Sequence, residues 1–381
     1  YWGRPHDYLW LGTAHPSLIY QQMTLAYERG IQKMWILNVG DIKPAEYQVE
    51  LFLDMAWNLE AVKRQGVAAH QRHFLEREFG KNRADRLQPV MQEAYRLAYI
   101  RKPEFMGNTR TEEKDPKFKV ISDLPWCEQE INERLAAYRQ LSDKVEQEWH
   151  ALPAQKKETY FQLVKYPVQA AAQMNNKLLT AQLARHGKAD WADSDRAYDS
   201  IVSLTKTYNT TKWNRMMDFQ PRRLLVFNRV ERKALSSGLL EKPQAVYTWN
   251  GADCVEGASV ICEGLGYEGK AVAVEKKKEL TFEFAAWETD SVEVEVRLLP
   301  NHPVEGERLR FTISLDGSAT EAVSYETKGR SEEWKENVLC NQAVRRMILP
   351  VARKASHRLI FTALDEGVVL DQIYLYTPRI K

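Results

Sequence analysis

The spacing of apolar residues changes once along this chain, and that change limits what the chain can fold into. Up to about residue 220 the apolar positions recur at helical spacing; after Pro221 they alternate with polar ones. A helix face repeats about every 3.6 residues and a strand face every two, so the two stretches belong to different domains. Leu280, Phe282 and Phe284 alternate, as do Val292, Val294, Val296 and Leu298. Leu309, Phe311, Ile313 and Leu315 do the same before an Asp316-Gly317 turn, and "HRLIFTALDEGVVLDQIYLY" adds two more strands. Short alternating strands over about 140 residues predict an antiparallel β-sandwich.

Strand patterns are absent from about 66 to 220. "WCEQEINERLAAYRQLSDKVEQEWHAL" puts Ile131, Leu135, Tyr138, Leu141 and Val145 on one helical face, and neighbouring segments behave alike. Lys102-Pro103 and Asp115-Pro116 interrupt the pattern, which predicts a helical bundle with an irregular insert near 102–125. Residues 1–65 read differently, as loop, helix, strand, loop and helix. Pro16 suits a first helical turn, Ile19, Met23, Ala26 and Tyr27 share a face, and Gly30 stands where that helix stops. Residues 33–38 follow as a short apolar strand of the buried parallel kind. Val49, Phe52, Leu53, Ala56 and Trp57 then form a second helical face. This rhythm is that of an α/β barrel or a doubly wound sheet, and 65 residues are too few to close either. The expected division is 1–65, 66–222 and 223–381.

At 381 residues two or three domains are expected. A net charge of +2 gives no general pull toward nucleic acid or membrane, and no window nears the roughly 18 apolar residues of a membrane span. The chain opens at Tyr1 in what reads as structured sequence, with no Met and no signal peptide, so a larger upstream portion is expected. Cys127, Cys254, Cys262 and Cys340 make no CxxC pair; half-buried thiols are expected, with a Cys254–Cys262 bridge the alternative. His70 and His73 lack the glutamate and spacing of HExxH, and no phosphate-cradling loop or serine elbow is present. "EGLGYEGKAV" lacks a following helix and reads as turns between strands. No metal and no cofactor is expected.

In parallel α/β folds ligands meet the carboxyl ends of the strands. The loop "YWGRPHDYLWLGT" holds Tyr1, Trp2, Arg4, His6, Asp7, Tyr8 and Trp10, and "NVGDIKPAEY" offers Asn38, Asp41 and Lys43. Rings that stack on sugar faces beside charged groups that bind hydroxyls or a carboxylate are what a carbohydrate pocket needs. Each has a plainer reading. Trp10 and Tyr8 are suited to core packing, Asp7 to capping a turn, and Asp41–Lys43 to a surface pair.

Taken together, "YWGRPHDYLWLGT", "AYERG" and "MWILNVGDIKPAEYQVELFLDMAWN" resemble glycoside hydrolase family 115, the xylan α-1,2-glucuronidases. "KWNRMMD", "GLGYEGKAV", "RLRFTISLDG" and "HRLIFTALDEGVVLDQIYL" extend the resemblance over essentially the whole chain. It implies a C-terminal portion of a longer enzyme: part of a (β/α)8-type barrel, a helical bundle and a β-sandwich. The implied activity is inverting, metal-independent removal of glucuronic or 4-O-methylglucuronic acid from glucuronoxylan, by a secreted or periplasmic protein. Inversion uses two carboxyl groups roughly 6.5–9.5 Å apart. The resemblance places most of that machinery upstream of Tyr1, with Asp7 and Asp41 the candidates within the chain. Tyr1, Arg4, His6, Tyr8, Asn38 and Lys43 are the implied substrate-binding positions, with Arg4, His6 or Lys43 meeting the uronate carboxylate. Many family members carry Gly-Gly-Pro and Asn-Thr where this loop has Gly3-Arg4-Pro5 and Gly12-Thr13, a departure that bears on substrate preference.

The expected partners are glucuronoxylan, upstream polypeptide and, as an open option, a second copy of the chain. Two rival readings differ in kind: a carbohydrate-binding protein without catalysis, and a scaffold or dimerisation protein. An exposed aromatic row on the sandwich would favour the first, but Trp249, Trp287 and Trp334 are not periodic. A large apolar patch would favour the second.

Overall fold

The structure is a computed structural model describing residues 10–39, 43–110, 113–257 and 259–378, and the chain divides into two units, residues 1–241 and 242–381. In the first unit the described helices are α1 (Pro16–Glu28), α2 (Glu46–Gln65), α3 (Val67–Phe79), α4 (Lys81–Ile100), α5 (Glu128–His150), α6 (Ala154–Tyr160), α7 (Tyr166–Arg185) and α8 (Trp191–Asn209). Pro16 sits in the first turn of α1, and His15 Nδ1 accepts from the Ser17 amide. Gly66, with φ of 80°, ends α2 while its N–H bonds to Val62 O, and α3 starts at the next residue. That backbone state disfavours any residue with a Cβ.

Helix α7 is the centre of the bundle: 16 of its 20 residues are buried, against α5 and α8. A helix enclosed on all sides has little amphipathic character, so its polar groups must find partners inside. Asn175 Oδ1 accepts from Arg134 Nε at 2.9 Å, and Arg134 also donates to the carbonyls of Leu97 and Arg101. Gln182 exchanges two hydrogen bonds with the Leu124 backbone, and Arg185 Nε donates to Asp123 Oδ1 at 2.6 Å. These contacts fasten the irregular insert to the core. The predicted α5 face holds: Ile131, Tyr138, Leu141 and Val145 are buried, with Leu135 packed beside them.

In the second unit the strands are β1 (Tyr247–Asn250), β2 (Glu256–Gly257), β3 (Val260–Ile261), β4 (Val272–Ala273), β5 (Glu279–Ala285), β6 (Ser291–Leu298), β7 (Arg310–Leu315), β8 (Ser318–Ala319), β9 (Val323–Ser324), β10 (Ala343–Pro350), β11 (Ser356–Ala363) and β12 (Val369–Tyr376), with one helix, α9 (Glu332–Cys340). One sheet runs β10-β6-β12-β4-β3, with β1 on β12; the other runs β2-β5-β11-β7-β8, with β9 on β7. All pairings are antiparallel, and the alternating residues predicted for β5, β6 and β7 fill one core between the sheets, as a sandwich requires. The Asp316-Gly317 turn follows β7, both residues at positive φ, as a type I′ hairpin demands. "EGLGYEGKAV" forms the turn into β4; Asp371, at a bulge in β12, is fully buried and accepts from the Tyr267 amide and Gln342 Nε2. Burial raises the Asp371 carboxyl above the usual range. All four cysteines are free and half-buried. Trp249 and Trp287 pack within the sandwich core and form no exposed row.

Two expectations for residues 1–65 fail. Residues 33–38 are extended but carry no ladder, and no strand occurs among the described residues of the first unit. An apolar run becomes a strand only where another strand completes its hydrogen bonds, and none of the described residues does so. Trp35 alone turns inward, against Phe52 at 5.6 Å, while Met34 and Ile36 are 73% and 81% exposed. The α2 face is also rotated: Leu51, Phe52, Met55, Leu59 and Val62 are buried, whereas Leu53 and Trp57 face outward. Asn58, with φ of −154°, breaks the helical geometry within α2 and upsets a strict repeat.

Candidate active site

The two loops singled out by the sequence meet. Trp10 is buried; its indole N–H donates to Tyr166 OH at 3.1 Å, and its ring meets Phe227 edge-on at 5.1 Å. The packing reading of Trp10 is therefore the right one. Gln48, on α2, donates to Gly12 O at 2.6 Å and to Ala14 O at 3.3 Å, tying the first loop to the helix behind the second. Gly12 lies so close to the second loop that a Cβ there would stand 2.5 Å from Pro44 O. The Lys43-Pro44 bond is cis.

His15 closes the first loop. It is buried edge-on between Tyr95 and Tyr99, with Lys102 donating to Thr13 Oγ1 nearby. Burial, helped by the Lys102 charge, drives its pKa down to about 3. Accepting at Nδ1 and staying neutral, His15 is a structural cap rather than an acid–base group. The space beneath, lined by Leu11, Tyr47, Phe74 and Tyr95, amounts to about 40 Å³ and is far below what a sugar ring needs.

Lys43 is the one predicted site residue that the structure shows fully engaged. Its ammonium is 2.5 Å from Glu46 Oε1 and 4.2 Å from the centroid of the Trp213 ring. Asn38 is exposed on the same loop. Tyr1, Arg4, His6, Asp7, Tyr8 and Asp41 lie outside the described residues. Sequence reasoning missed Glu46, Gln48 and Trp213 as parts of this region. Glu46 stands three residues after Lys43, a spacing that places both on one helical turn; nothing local in the sequence links Trp213 to either. His70 and His73 go to separate partners, Asp54 and Gln65, and no group of three or more metal-ligating side chains occurs among the described residues.

The chain matches two family models, Glycosyl hydrolase family 115 over residues 1–105 and Glycosyl hydrolase family 115 C-terminal domain over residues 258–381. No curated protein matches it. Among solved structures it is similar to a family GH115 4-O-methyl-alpha-glucuronidase with specificity for decorated arabinogalactans, at 63% identity and a TM-score of 0.97. The match covers 100% of this chain and 50% of that one, so the chain spans half the length of that relative. A carbohydrate binding module from Cellvibrio mixtus lichenase 5A, in complex with cellotriose, matches at 13% identity and a TM-score of 0.27, over 36% of this chain and 100% of that one. A family 35 carbohydrate binding module from Clostridium thermocellum gives 11% and 0.28, over 35% and 98%. At such scores neither module says anything about a ligand.

Proposed function

Because the chain belongs to glycosyl hydrolase family 115, we propose that it works as part of an α-glucuronidase that removes glucuronic or 4-O-methylglucuronic acid from a plant polysaccharide. The observation that carries this reading is the 63% identity, over every residue, to a 4-O-methyl-alpha-glucuronidase. That relative's specificity makes decorated arabinogalactan the first scaffold to test and glucuronoxylan the second.

On this reading residues 1–65 close an α/β barrel, and the loops ending near residues 15 and 46 form its substrate rim. A uronic acid differs from a neutral sugar by its carboxylate, so the rim needs fixed cations. Lys43 supplies one, held by Glu46 and Trp213; Arg4 and His6 are proposed to share the task. Tyr1 and Tyr8 would stack on the pyranose and Asn38 would bind a hydroxyl. Inverting hydrolysis without a metal would use two carboxyl groups, one protonating the leaving oxygen and one activating water. Asp7 and Asp41 are the candidates this chain offers. Such an enzyme acts on extracellular polymers, and an extracellular or periplasmic location is proposed with it; no described helix is long and apolar enough to cross a membrane. A second copy of the chain is the proposed option for a protein partner.

The test is uronic acid release from decorated arabinogalactan and glucuronoxylan by the full-length enzyme carrying this sequence, beside Asp41→Ala. Activity on either polymer, with a folded but much weaker variant, supports the reading. No uronic acid from either polymer overturns it.

A further inference from the structure

Residues 212–223 follow α8, and the reaction proposed above makes no use of them beyond Trp213. The segment is pinned rather than loose. Asn209 Nδ2 donates to Met217 O at 2.7 Å while the Met217 amide donates back to Asn209 Oδ1 at 3.0 Å. The Trp213 amide donates to Thr211 Oγ1 and the Gln220 amide to Asp218 Oδ1. With Met217 buried by this arrangement, Met216 and Phe219 are left 43% and 38% exposed.

Three arginines in this stretch hold left-handed backbone: Arg215 at φ 60°, Arg222 at 51° and Arg223 at 56°. Glycine or asparagine adopts that state more cheaply, so an arginine kept there points to a use for its side chain. Elsewhere in the first unit Arg72, Arg83, Arg86 and Arg229 pair with carboxylates. Arg215, Arg222 and Arg223 have no ion-pair partner among the described residues. Beside them, two ammonium groups share one indole: Lys43 lies 4.2 Å and Lys212 5.3 Å from the Trp213 ring centroid. Glu46, already paired with Lys43, and Asp218, already accepting from Gln220, leave the cations in excess. Glu46 Oε2 and Trp213 Nε1 are buried polar atoms without a hydrogen-bond partner among the described residues.

We propose that residues 212–223, together with Lys43, form an accessory subsite for the anionic glycan chain beyond the sugar being removed. Arg215, Arg222 and Arg223 meet uronate carboxylates on neighbouring branches, while Trp213, Met216 and Phe219 pack on pyranose faces. The subsite rests on the glucuronidase reading and sets which decorated polymers the enzyme holds.

The test compares the full-length enzyme with Arg222→Gly/Arg223→Gly, a variant whose glycines suit the backbone and which is expected to keep or raise Tm. With a uronate-capped disaccharide and a uronate-decorated polysaccharide as substrates, the polymer-to-disaccharide ratio of kcat/KM falls about tenfold in the variant. An unchanged ratio overturns the subsite. Affinity electrophoresis through glucuronoxylan, decorated arabinogalactan and neutral arabinoxylan gives a readout that needs no turnover. Wild type is retarded by the acidic gels, loses the retardation as salt is raised, and exceeds the variant in it. No retardation of wild type, or equal retardation of both proteins, overturns the subsite. Retardation without turnover of either substrate overturns the glucuronidase reading and leaves the subsite standing.

Discussion

The ammonium of Lys43 stands 4.2 Å above the ring of Trp213, joining the second loop to the segment that ends the helical bundle. Glu46 holds the same ammonium from the other side. A flexible lysine is thereby fixed as a point charge at the rim. Cation–π contacts of this kind contribute about 0.5–2 kcal/mol depending on desolvation. Trp213→Ala is therefore expected to raise KM for uronate substrates several-fold with a smaller change in kcat, and Trp213→Phe to restore most of the loss. Steady-state kinetics on the three proteins check this; an equal fall in kcat for Ala and Phe would show that the indole only supports the loop's fold.

The buried imidazole of His15 makes the first loop acid-sensitive. Its folded pKa of about 3 lies below the unfolded value of 6.5. Between those values the unfolded chain takes a proton that the folded chain refuses, so this contribution to stability is full above pH 6.5 and shrinks as pH falls toward 3. The slope is at most about 1.4 kcal/mol per pH unit. His15→Asn keeps a cap for the Ser17 amide but cannot titrate. Urea unfolding at pH 7, 6, 5 and 4 should show the stability gap between wild type and variant narrowing as pH drops.

Lys177 tests the bundle in the opposite pH range. It is fully buried on α7, and its amine donates to Val226 O and Asn228 O with the Tyr198 ring nearby. Burial lowers its pKa to about 7 from 10.5. Between these values the unfolded chain binds the extra proton, so stability from this site rises as pH climbs from 7 toward 10. The gain is at most about 1.4 kcal/mol per pH unit. Lys177→Met removes the titration and orphans two carbonyls. Denaturation at pH 6.5, 8 and 9.5 is expected to show wild type gaining on the variant at each step; a constant gap means that the amine keeps its charge inside.

What could be read in the sequence followed from local repeats. The sandwich strands were legible because Leu280, Phe282 and Phe284, or Val292 to Leu298, bury every second residue against one core. Helix α5 was legible for the same reason at helical spacing. Residues 33–38 misled because an apolar run states only that something must cover it; their strand partner is absent from the described residues, so Met34 and Ile36 stay exposed. Lys43 was found through its loop, but its partner Trp213 was not. A contact between residues so distant leaves no periodic trace, and the strain at Arg222 and Arg223 has none either. The pairings of Asn175, Lys177 and Gln182 were hidden by their own helix, whose surroundings rather than its pattern make them buried.

Gly12 provides the sharpest test that the two loops act as one structure. A methyl group there would sit 2.5 Å from Pro44 O and 3.1 Å from Ala45 Cα, both backbone atoms with little freedom to move. Gly12→Ala must therefore push the first loop from the second or break the Gln48 bonds to Gly12 O and Ala14 O. Overpacking of this sort costs about 1–3 kcal/mol. Because the displaced backbone carries Lys43 and Asn38, activity should fall further than stability does. Thermal unfolding and kcat/KM measured together decide it: a variant with lowered Tm but unchanged kcat/KM would detach these loops from the catalytic rim.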